Sequence, residues 1–224
     1  MTFSIAARCA STGRFAIAVA SSSPAVAARC AFARAGVGAV STQNITDPRL
    51  GPRGLDLLAG GASAAEALDE LRRTAPDIEY RQLALVDTQG QTAAFSGSGS
   101  LGVYAMARDQ DVVSAGNLLK HDGVPASIVA EFRATPGQDI GDRIVRSMQA
   151  GLAAGGEAGP IRSAGLLIVD KVSWAVADLR VDWHDEPIEE LARLWQVWRP
   201  QADAYVTRAL NPGGAPSYGV PGDL

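Results

Sequence analysis

Alternating side chains in two neighbouring segments constrain the fold of this chain most strongly. In residues 2–7 and again in residues 15–19, apolar side chains recur at every second position. A period of two is typical of β-strands, and Ser11-Thr12-Gly13 between the segments has the composition of a turn. The chain is therefore expected to open with a β-hairpin, whose two strands pair antiparallel.

Strand groups and pairs of helices alternate along the rest of the sequence. Further strands are predicted at 36–43, 81–86, 91–95, 103–107, 111–115, 163–169 and 172–179. Helices are predicted over 52–59 and from Ser63, Pro125, Asp139 and Pro187. The last of these is expected to bend at Pro200 and to resume to Leu210. Residues 25–35 are expected to be either helical or irregular. Hairpins with paired helices between them predict an α+β fold with mainly antiparallel sheets in four layers, α/β/β/α, around an open centre.

The chain shows no linker or internal repeat that would divide it. Its 224 residues suit one domain of ordinary size. We therefore expect a single domain over residues 1–210, followed by a flexible tail over residues 211–224, which is rich in glycine and proline.

Thr2 stands directly behind the initiator methionine. The aminopeptidase that removes initiator methionines accepts a small second residue, so trimming would leave a hydroxyl and a free α-amine on one residue. Such an amine can take the hydroxyl proton, since its ordinary pKa lies near neutrality. Thr2 is therefore a candidate catalytic nucleophile, and the alternative is that it is only the first residue of a strand.

Segments along most of the chain resemble an Ntn-hydrolase-like family, the domain of unknown function 1028. They are MTFSIAAR at 1–8, ARAGVGAVSTQ at 33–43, GPRGLDLL at 51–58, RQLALVD at 81–87, SAGNLL at 114–119, RSAGLLIV at 162–169 and DLRVDWH at 178–184. The resemblance implies the α/β/β/α sandwich of N-terminal-nucleophile hydrolases and, by that analogy, amide hydrolysis. Thr2 falls where the family's candidate nucleophile falls.

The first lysine of the chain is Lys120, which departs from proteasome-type threonine peptidases. In those sites a lysine on an early strand helps to activate the nucleophile. If Thr2 is active, an arginine or the α-amine alone must do this work.

Polar residues at predicted strand ends are candidates for the rest of the site. Asn117 is a candidate catalytic donor to an oxyanion, because a side-chain amide carries two hydrogens, or it merely closes a strand. Gln43 ends the third strand and would contact substrate or backbone. Ser22 and Ser23 end the second strand and would line the same pocket, unless they are only polar strand termini.

Arg180 lies between Asp178 and Asp182, and the three side chains share one side of an extended strand. This arrangement would hold Arg180 and Asp182 for substrate binding, with the guanidinium on a substrate carboxylate. A purely structural ion-pair network explains the same pattern.

The histidines and cysteines give no metal or cofactor signal. His121 and His184 form no HxxxH or HExxH spacing, and Cys9 and Cys30 form no CxxC, so we expect neither a metal nor a cofactor. A Cys-His hydrolase that uses either cysteine with His184 stays open, although no motif supports it.

Charge and hydropathy limit the partners. The net charge of −4 comes without a basic stripe, which argues against nucleic acid. No apolar run is long enough to span a bilayer and no secretory signal is visible, so we expect a cytoplasmic protein that does not interact with membranes. Trp195 and Trp198 lie on nearly one helical face and suit either the core or the surface of a homodimer.

The sequence as a whole favours a hydrolase of a small, non-peptide amide or related C–N bond, an amidohydrolase with an N-terminal threonine. The alternative is a non-catalytic binding or assembly protein that keeps the same sandwich.

Overall fold

In a computed structural model that describes residues 1–220, strands form two antiparallel sheets. The strands are β1 (Thr2–Arg8), β2 (Phe15–Ser21), β3 (Ala31–Arg34), β4 (Gly38–Asn44), β5 (Arg81–Asp87), β6 (Thr92–Ser96), β7 (Ala105–Asp109), β8 (Val112–Asn117), β9 (Ser163–Val169) and β10 (Ala175–Val181). The first sheet has the order β10-β9-β2-β1-β8-β7, and the second has the order β3-β4-β5-β6. The predicted α+β class, with antiparallel sheets, is confirmed.

Apart from the first helix, which is a single turn, the helices follow the strand groups in pairs. They are α1 (Ala27–Cys30), α2 (Leu50–Ala59), α3 (Ala64–Thr74), α4 (Val124–Ala134), α5 (Ile140–Ala153), α6 (Pro187–Trp198) and α7 (Ala202–Leu210). Short 3₁₀ turns lie at Ile78–Tyr80, Arg199–Gln201 and Pro212–Gly214. Within residues 1–220, none of the helices combines the length and apolar character needed to cross a membrane.

Two predicted helix starts are confirmed by their caps. Ser63 and Glu66 form a capping box at the start of α3, each side chain accepting from the other residue's backbone N–H. The Asp139 carboxylate accepts a hydrogen bond from the N–H of Gly141 and caps α5. Such caps satisfy N–H groups that a helix leaves without partners, which explains why these boundaries are visible in the sequence.

The alternation along β1 decides which side chains face which layer. Phe3 and Ile5 are fully buried in an apolar cluster with side chains of α4 and α5, where each contributes about 1.5–3 kcal/mol. Ser4 and Ala6 point the other way and contact the second sheet. Helices α2 and α3 pack on β4, β5 and β6 of that second sheet. Thr2 shares the parity of Ser4, so it also faces the second sheet.

Residues 25–35 contain a strand that was not predicted. After one turn of α1, β3 pairs with β4 in the register Ala31↔Ser41. Alanine has no preference for extended structure, so the hydrogen bonds of the neighbouring strand decide the conformation here. The sequence expectation of helix or irregular structure was wrong for β3 and right for α1 and the turn residues at either end of the segment.

The last helices pack within the chain. Trp195 is 4% exposed and its indole N–H donates to the Asp142 carboxylate, while the indole of Trp198 donates to the Val176 carbonyl. Trp195 is therefore a core residue, while Trp198 is partly buried and is held within the chain through its indole N–H. In the predicted tail, the backbone carbonyls of residues 216 and 217 accept hydrogen bonds from Arg208. Residues 221–224 of that tail lie outside the described residues. The domain boundary at residue 210 stays a prediction.

Candidate active site

Thr2 lies at the start of β1, an interior strand, with its hydroxyl turned towards the second sheet. The residue is 6% exposed. Its Oγ1 donates to the carbonyl oxygen of Met1 and lies 3.3 Å from the Oγ of Ser21. The hydroxyl of Ser21 also donates to that Met1 carbonyl. Two hydroxyls therefore converge on one carbonyl oxygen directly in front of the candidate nucleophile.

A chain of hydroxyls links Thr2 to an arginine. Ser21 Oγ lies 2.8 Å from Ser23 Oγ, and Arg29 Nη2 donates to Ser23 Oγ at 2.6 Å. Arg29 is also fixed by the carbonyls of residues 24 and 25, which accept from its Nη1. A positive charge thus stands two hydroxyls away from Thr2, on a part of the chain that has no lysine.

Asn117 is the register partner of Thr2 on β8 and is almost fully buried. Its Nδ2 donates to the Oε1 of Gln82 at 3.1 Å. The same oxygen accepts from Gln43 Nε2 at 2.7 Å, and that nitrogen also donates to the carbonyl of Ala115 at 3.1 Å. Gln43 therefore binds the backbone and a second glutamine, one of the two contacts expected for it.

Gln82 is the centre of this buried polar network between the sheets. Its Nε2 donates to Ser96 Oγ at 2.8 Å and to the carbonyl of Gly116 at 2.9 Å. With the two bonds to its Oε1, the side chain has four partners and no exposed surface. Because Gly116 precedes Asn117, these contacts fix the strand end that lies beside Thr2.

A buried carboxylate, Glu157, lies across the start of β1. Its backbone pairs with Leu119, just beyond β8, and its Oε2 accepts from the N–H of Ser22, just beyond β2, at 3.1 Å. The residue is 5% exposed, and its Oε1 has no hydrogen-bond partner among the described residues. Burial raises the pKa of Glu157 from 4.5 to about 7, although the α-amino group of the chain and the Ser22 hydrogen bonds act in the lowering direction.

Replacing Glu157 with glutamine is expected to stabilise the protein above neutral pH. The folded carboxyl stays protonated up to about pH 7, whereas the unfolded one ionises near 4.5, so native stability falls as pH rises through that window. Glutamine cannot ionise, so the variant does not lose this stability. Its free energy of unfolding should exceed that of the wild type by an amount on the order of 2 kcal/mol at pH 8, with no gain from ionisation at pH 4. Urea unfolding at both pH values measures the difference.

Glu186→Gln is the matched control for that measurement. Glu186 carries the same charge and lines the same cavity as Glu157, but it is exposed. Its replacement should leave the free energy of unfolding nearly unchanged at both pH values. A gain for Glu157→Gln that is equal at pH 4 and pH 8 would contradict burial of the charged carboxylate.

A cavity of about 270 Å³ adjoins Glu157. Its wall includes Gly159, Ile161 and Ile188. Met1 reaches the same wall, because a Cβ placed on Gly159 would come within 2.9 Å of the Met1 Cε atom. Met1 therefore meets the Thr2 hydroxyl through its carbonyl and a residue of the cavity wall through its side chain.

The structure brings some of the predicted site residues together and leaves others apart. Asn117 and Gln43 join one network beside Thr2, and Ser22 and Ser23 contact Glu157 and Ser21. Arg180 and Asp182 instead lie exposed on and just after β10, separated from β1 by β9 and β2.

The Arg180 guanidinium binds the Asp178 carboxylate through two hydrogen bonds of 2.8 and 2.9 Å. The carbonyl of Asp182 accepts from the N–H of Ala25. These contacts are those of a surface ion pair and a loop anchor. A substrate role for Arg180 and Asp182 stays a prediction, and their position does not connect them with Thr2.

In the described part of the chain the two thiols lie beside hydroxyl groups, Cys9 Sγ 3.3 Å from Ser11 Oγ and Cys30 Sγ 3.6 Å from Thr46 Oγ1, and neither is hydrogen-bonded to a histidine. Burial raises the pKa of the Cys30 thiol, which disfavours the reactive thiolate. His121 and His184 are exposed, and the Nδ1 of each accepts a backbone hydrogen bond from two residues further on. Within residues 1–220 no group of three or more His, Cys, Asp or Glu side chains is placed to hold a metal ion.

Three residues of this region were not singled out from the sequence. Ser21 shares the strand parity of Ile17 and Val19, and that alternation could have placed it on the face of Thr2. Gln82 begins a similar alternation on β5. Glu157 had no comparable signal, because its position depends on the pairing of a glycine-rich loop with Leu119.

Comparison with protein families and solved structures identifies relatives of the whole fold. The model of a family of unknown function, DUF1028, matches residues 2–191. The crystal structure of protein SPO2555 from Silicibacter pomeroyi, assigned to the same family model, is 26% identical, covers 88% of each chain and gives a TM-score of 0.81. A comparison with curated proteins finds no match.

Two Anbu structures are more distant. Anbu, the ancestral beta-subunit, from Yersinia bercovieri is 14% identical over 91% of this chain and 97% of its own, with a TM-score of 0.41. Anbu from Hyphomicrobium sp. strain MC1 is 12% identical over 90% and 97%, with a TM-score of 0.40. Similarity at this level assigns neither an activity nor an assembly to the chain.

Proposed function

The chain belongs to the DUF1028 family, whose function is unknown, and we propose that it hydrolyses a small, non-peptide amide or related C–N bond with Thr2 as the nucleophile. The observation that carries the proposal is the convergence of the Thr2 and Ser21 hydroxyls on the Met1 carbonyl. A buried hydroxyl at the start of an interior strand, beside a second hydroxyl and a buried carboxylate, has the parts that acyl transfer requires.

The reaction begins once Met1 is removed and the α-amine of Thr2 is free. The amine takes the proton from Oγ1 while that oxygen attacks the substrate carbonyl carbon. Ser21 Oγ, which already donates to a carbonyl oxygen at this place, stabilises the oxyanion, and the Asn117 amide is the second candidate donor. The C–N bond then breaks and the leaving nitrogen receives the proton. Water finally cleaves the ester and restores the threonine.

We also propose that the layers follow the N-terminal-nucleophile sandwich, as the sequence resemblance implies. The packing of α4 and α5 on one sheet and of α2 and α3 on the other supports this order of layers. The contacts of β1 with β4 and β5 support direct stacking of the two sheets. Unlike the expected open centre, the space between them near Thr2 is crossed by hydrogen-bonded side chains.

Purified native protein is expected to lack Met1, and intact-protein mass spectrometry measures this as the loss of one methionine residue. The same sample should then hydrolyse members of a panel of small amides, lactams and ureido compounds. Retention of Met1 would leave the Thr2 nitrogen in a peptide bond, where it cannot act as a base, and would favour the alternative, a non-catalytic binding or assembly protein.

The homodimer and the cytoplasmic location remain proposals. Trp195 is buried within the chain, so of the two tryptophans only the partly exposed Trp198 could contribute to a dimer surface. Light scattering on the purified protein measures the number of copies directly.

A further inference from the structure

We propose that the substrate carries an ammonium group on the carbon next to its scissile carbonyl, as an α-amino acid amide does, and that Glu157 binds this group. The inference rests on the proposed function of Thr2 and narrows its substrate class. It follows from what Met1 contacts at the start of β1.

The position of Glu157 is the first observation. β1 lies between β2 and β8, and Glu157 reaches from the extension of β8, where it pairs with Leu119, to the extension of β2, where it accepts from Ser22. The side chain therefore crosses the space directly ahead of Thr2. The α-amine charge of Met1 acts on this carboxylate, so a group in the place of Met1 would lie within its electrostatic reach.

Met1 itself is the second observation, because its acyl group stands in for the acyl half of a substrate. The nitrogen and Oγ1 of Thr2 are attached to adjacent carbons, so an acyl group moved from one to the other stays in the same neighbourhood. The Met1 carbonyl meets Thr2 and Ser21, its side chain lies against Gly159, and the charge of its α-amine acts on Glu157. A substrate with the same three groups would repeat the first two contacts and bring its own ammonium group within reach of the Glu157 charge.

The unfilled hydrogen-bonding capacity of Glu157 is the third observation. Its Oε1 is buried without a partner among the described residues, and a buried carboxylate is costly unless it is paired. An ammonium group donates up to three hydrogen bonds and brings the opposite charge. The adjoining cavity of about 270 Å³, with Ile161 and Ile188 in its wall, leaves room for an apolar side chain.

Three probes test the inference with protein released from a fusion so that Thr2 is its first residue. The first, L-methioninamide, has the amide and a free α-amine. N-acetyl-L-methioninamide keeps the amide but cannot carry the ammonium charge, and 4-(methylthio)butanamide keeps the amide but has no α-amine. We expect kcat/KM to be roughly 10- to 100-fold higher for the free amine than for the other two, as one charged hydrogen-bonded contact would give. Glu157→Gln should abolish this preference, and Glu70→Gln, which removes an equal charge from α3 on the other sheet, should preserve it.

Binding to the Thr2→Ala variant, measured by calorimetry, separates this inference from the proposed catalysis. The ammonium site is supported if Thr2→Ala binds L-methioninamide but not N-acetyl-L-methioninamide, and if the Thr2→Ala/Glu157→Gln double variant binds neither. If such binding occurs and the protein with Thr2 intact gives no turnover, the proposed hydrolysis fails while the site stands. Absence of binding, or equal kcat/KM for all three probes, overturns the inference.

Discussion

Replacing Thr2 with alanine is expected to abolish turnover of every amide that the protein hydrolyses. In the proposed reaction Oγ1 forms the acyl-enzyme, and the hydroxyls beside it do not belong to an N-terminal residue whose amine could activate them. Loss of a nucleophile that acts together with its base lowers kcat by roughly 10⁴-fold or more. The measurement is single-turnover and steady-state hydrolysis of the best amide found, by protein shown by mass to start at residue 2.

Two variants make this result specific to the nucleophile. Thr2→Ser keeps a hydroxyl beside the α-amine and should retain measurable turnover. Thr42→Ala removes the hydroxyl of another buried threonine, which lies next to Gln43 on β4 and donates to the carbonyl of Asp47. This change should leave kcat close to the wild-type value. Turnover by Thr2→Ala at the wild-type rate would remove Thr2 from the reaction and leave the binding or assembly alternative.

The parts of the fold that could be predicted are those encoded by near neighbours in the chain. The opening hairpin, the capping box at Ser63 and the Asp139 cap depend on contacts within a few residues, so their patterns are visible in the sequence. Thr2 could be singled out for the same reason, because the role proposed for it depends only on the residue before it. Asn117 was found as a strand end, and the register places it opposite Thr2.

The parts that could not be predicted depend on long-range pairing. Ser22 and Glu157 are 135 positions apart in the chain, yet one hydrogen bond joins them. The strand β3 exists because β4 offers it a partner, and the burial of Gln82 requires both sheets to be in place. Arg180 shows the opposite case. Its local pattern with Asp178 predicted an ion pair or a substrate clamp, and the ion pair is present, but the pattern could not give the position of Arg180 relative to β1.

Replacing Gln82 with leucine is expected to lower the free energy of unfolding by about 4 kcal/mol. Leucine is similar in size, so the main cost is the loss of partners: Asn117 Nδ2 and the Gly116 carbonyl would be left buried without the bonds that Gln82 supplies. Each such group costs about 1–3 kcal/mol. Urea unfolding, with the midpoint and slope fitted together, measures the change.

Gln89→Leu is the matched control, because it makes the same chemical change at an exposed position on the loop after β5, and it should alter stability by less than about 0.5 kcal/mol. A Gln82→Leu protein as stable as wild type would mean that the hydrogen bonds of Gln82 between the sheets contribute nothing to stability. A large loss would show that the polar network, rather than apolar contact alone, fixes the two sheets at the Thr2 end. Since Gln82 holds both Gly116 and Asn117, the same change should also displace the residue opposite Thr2.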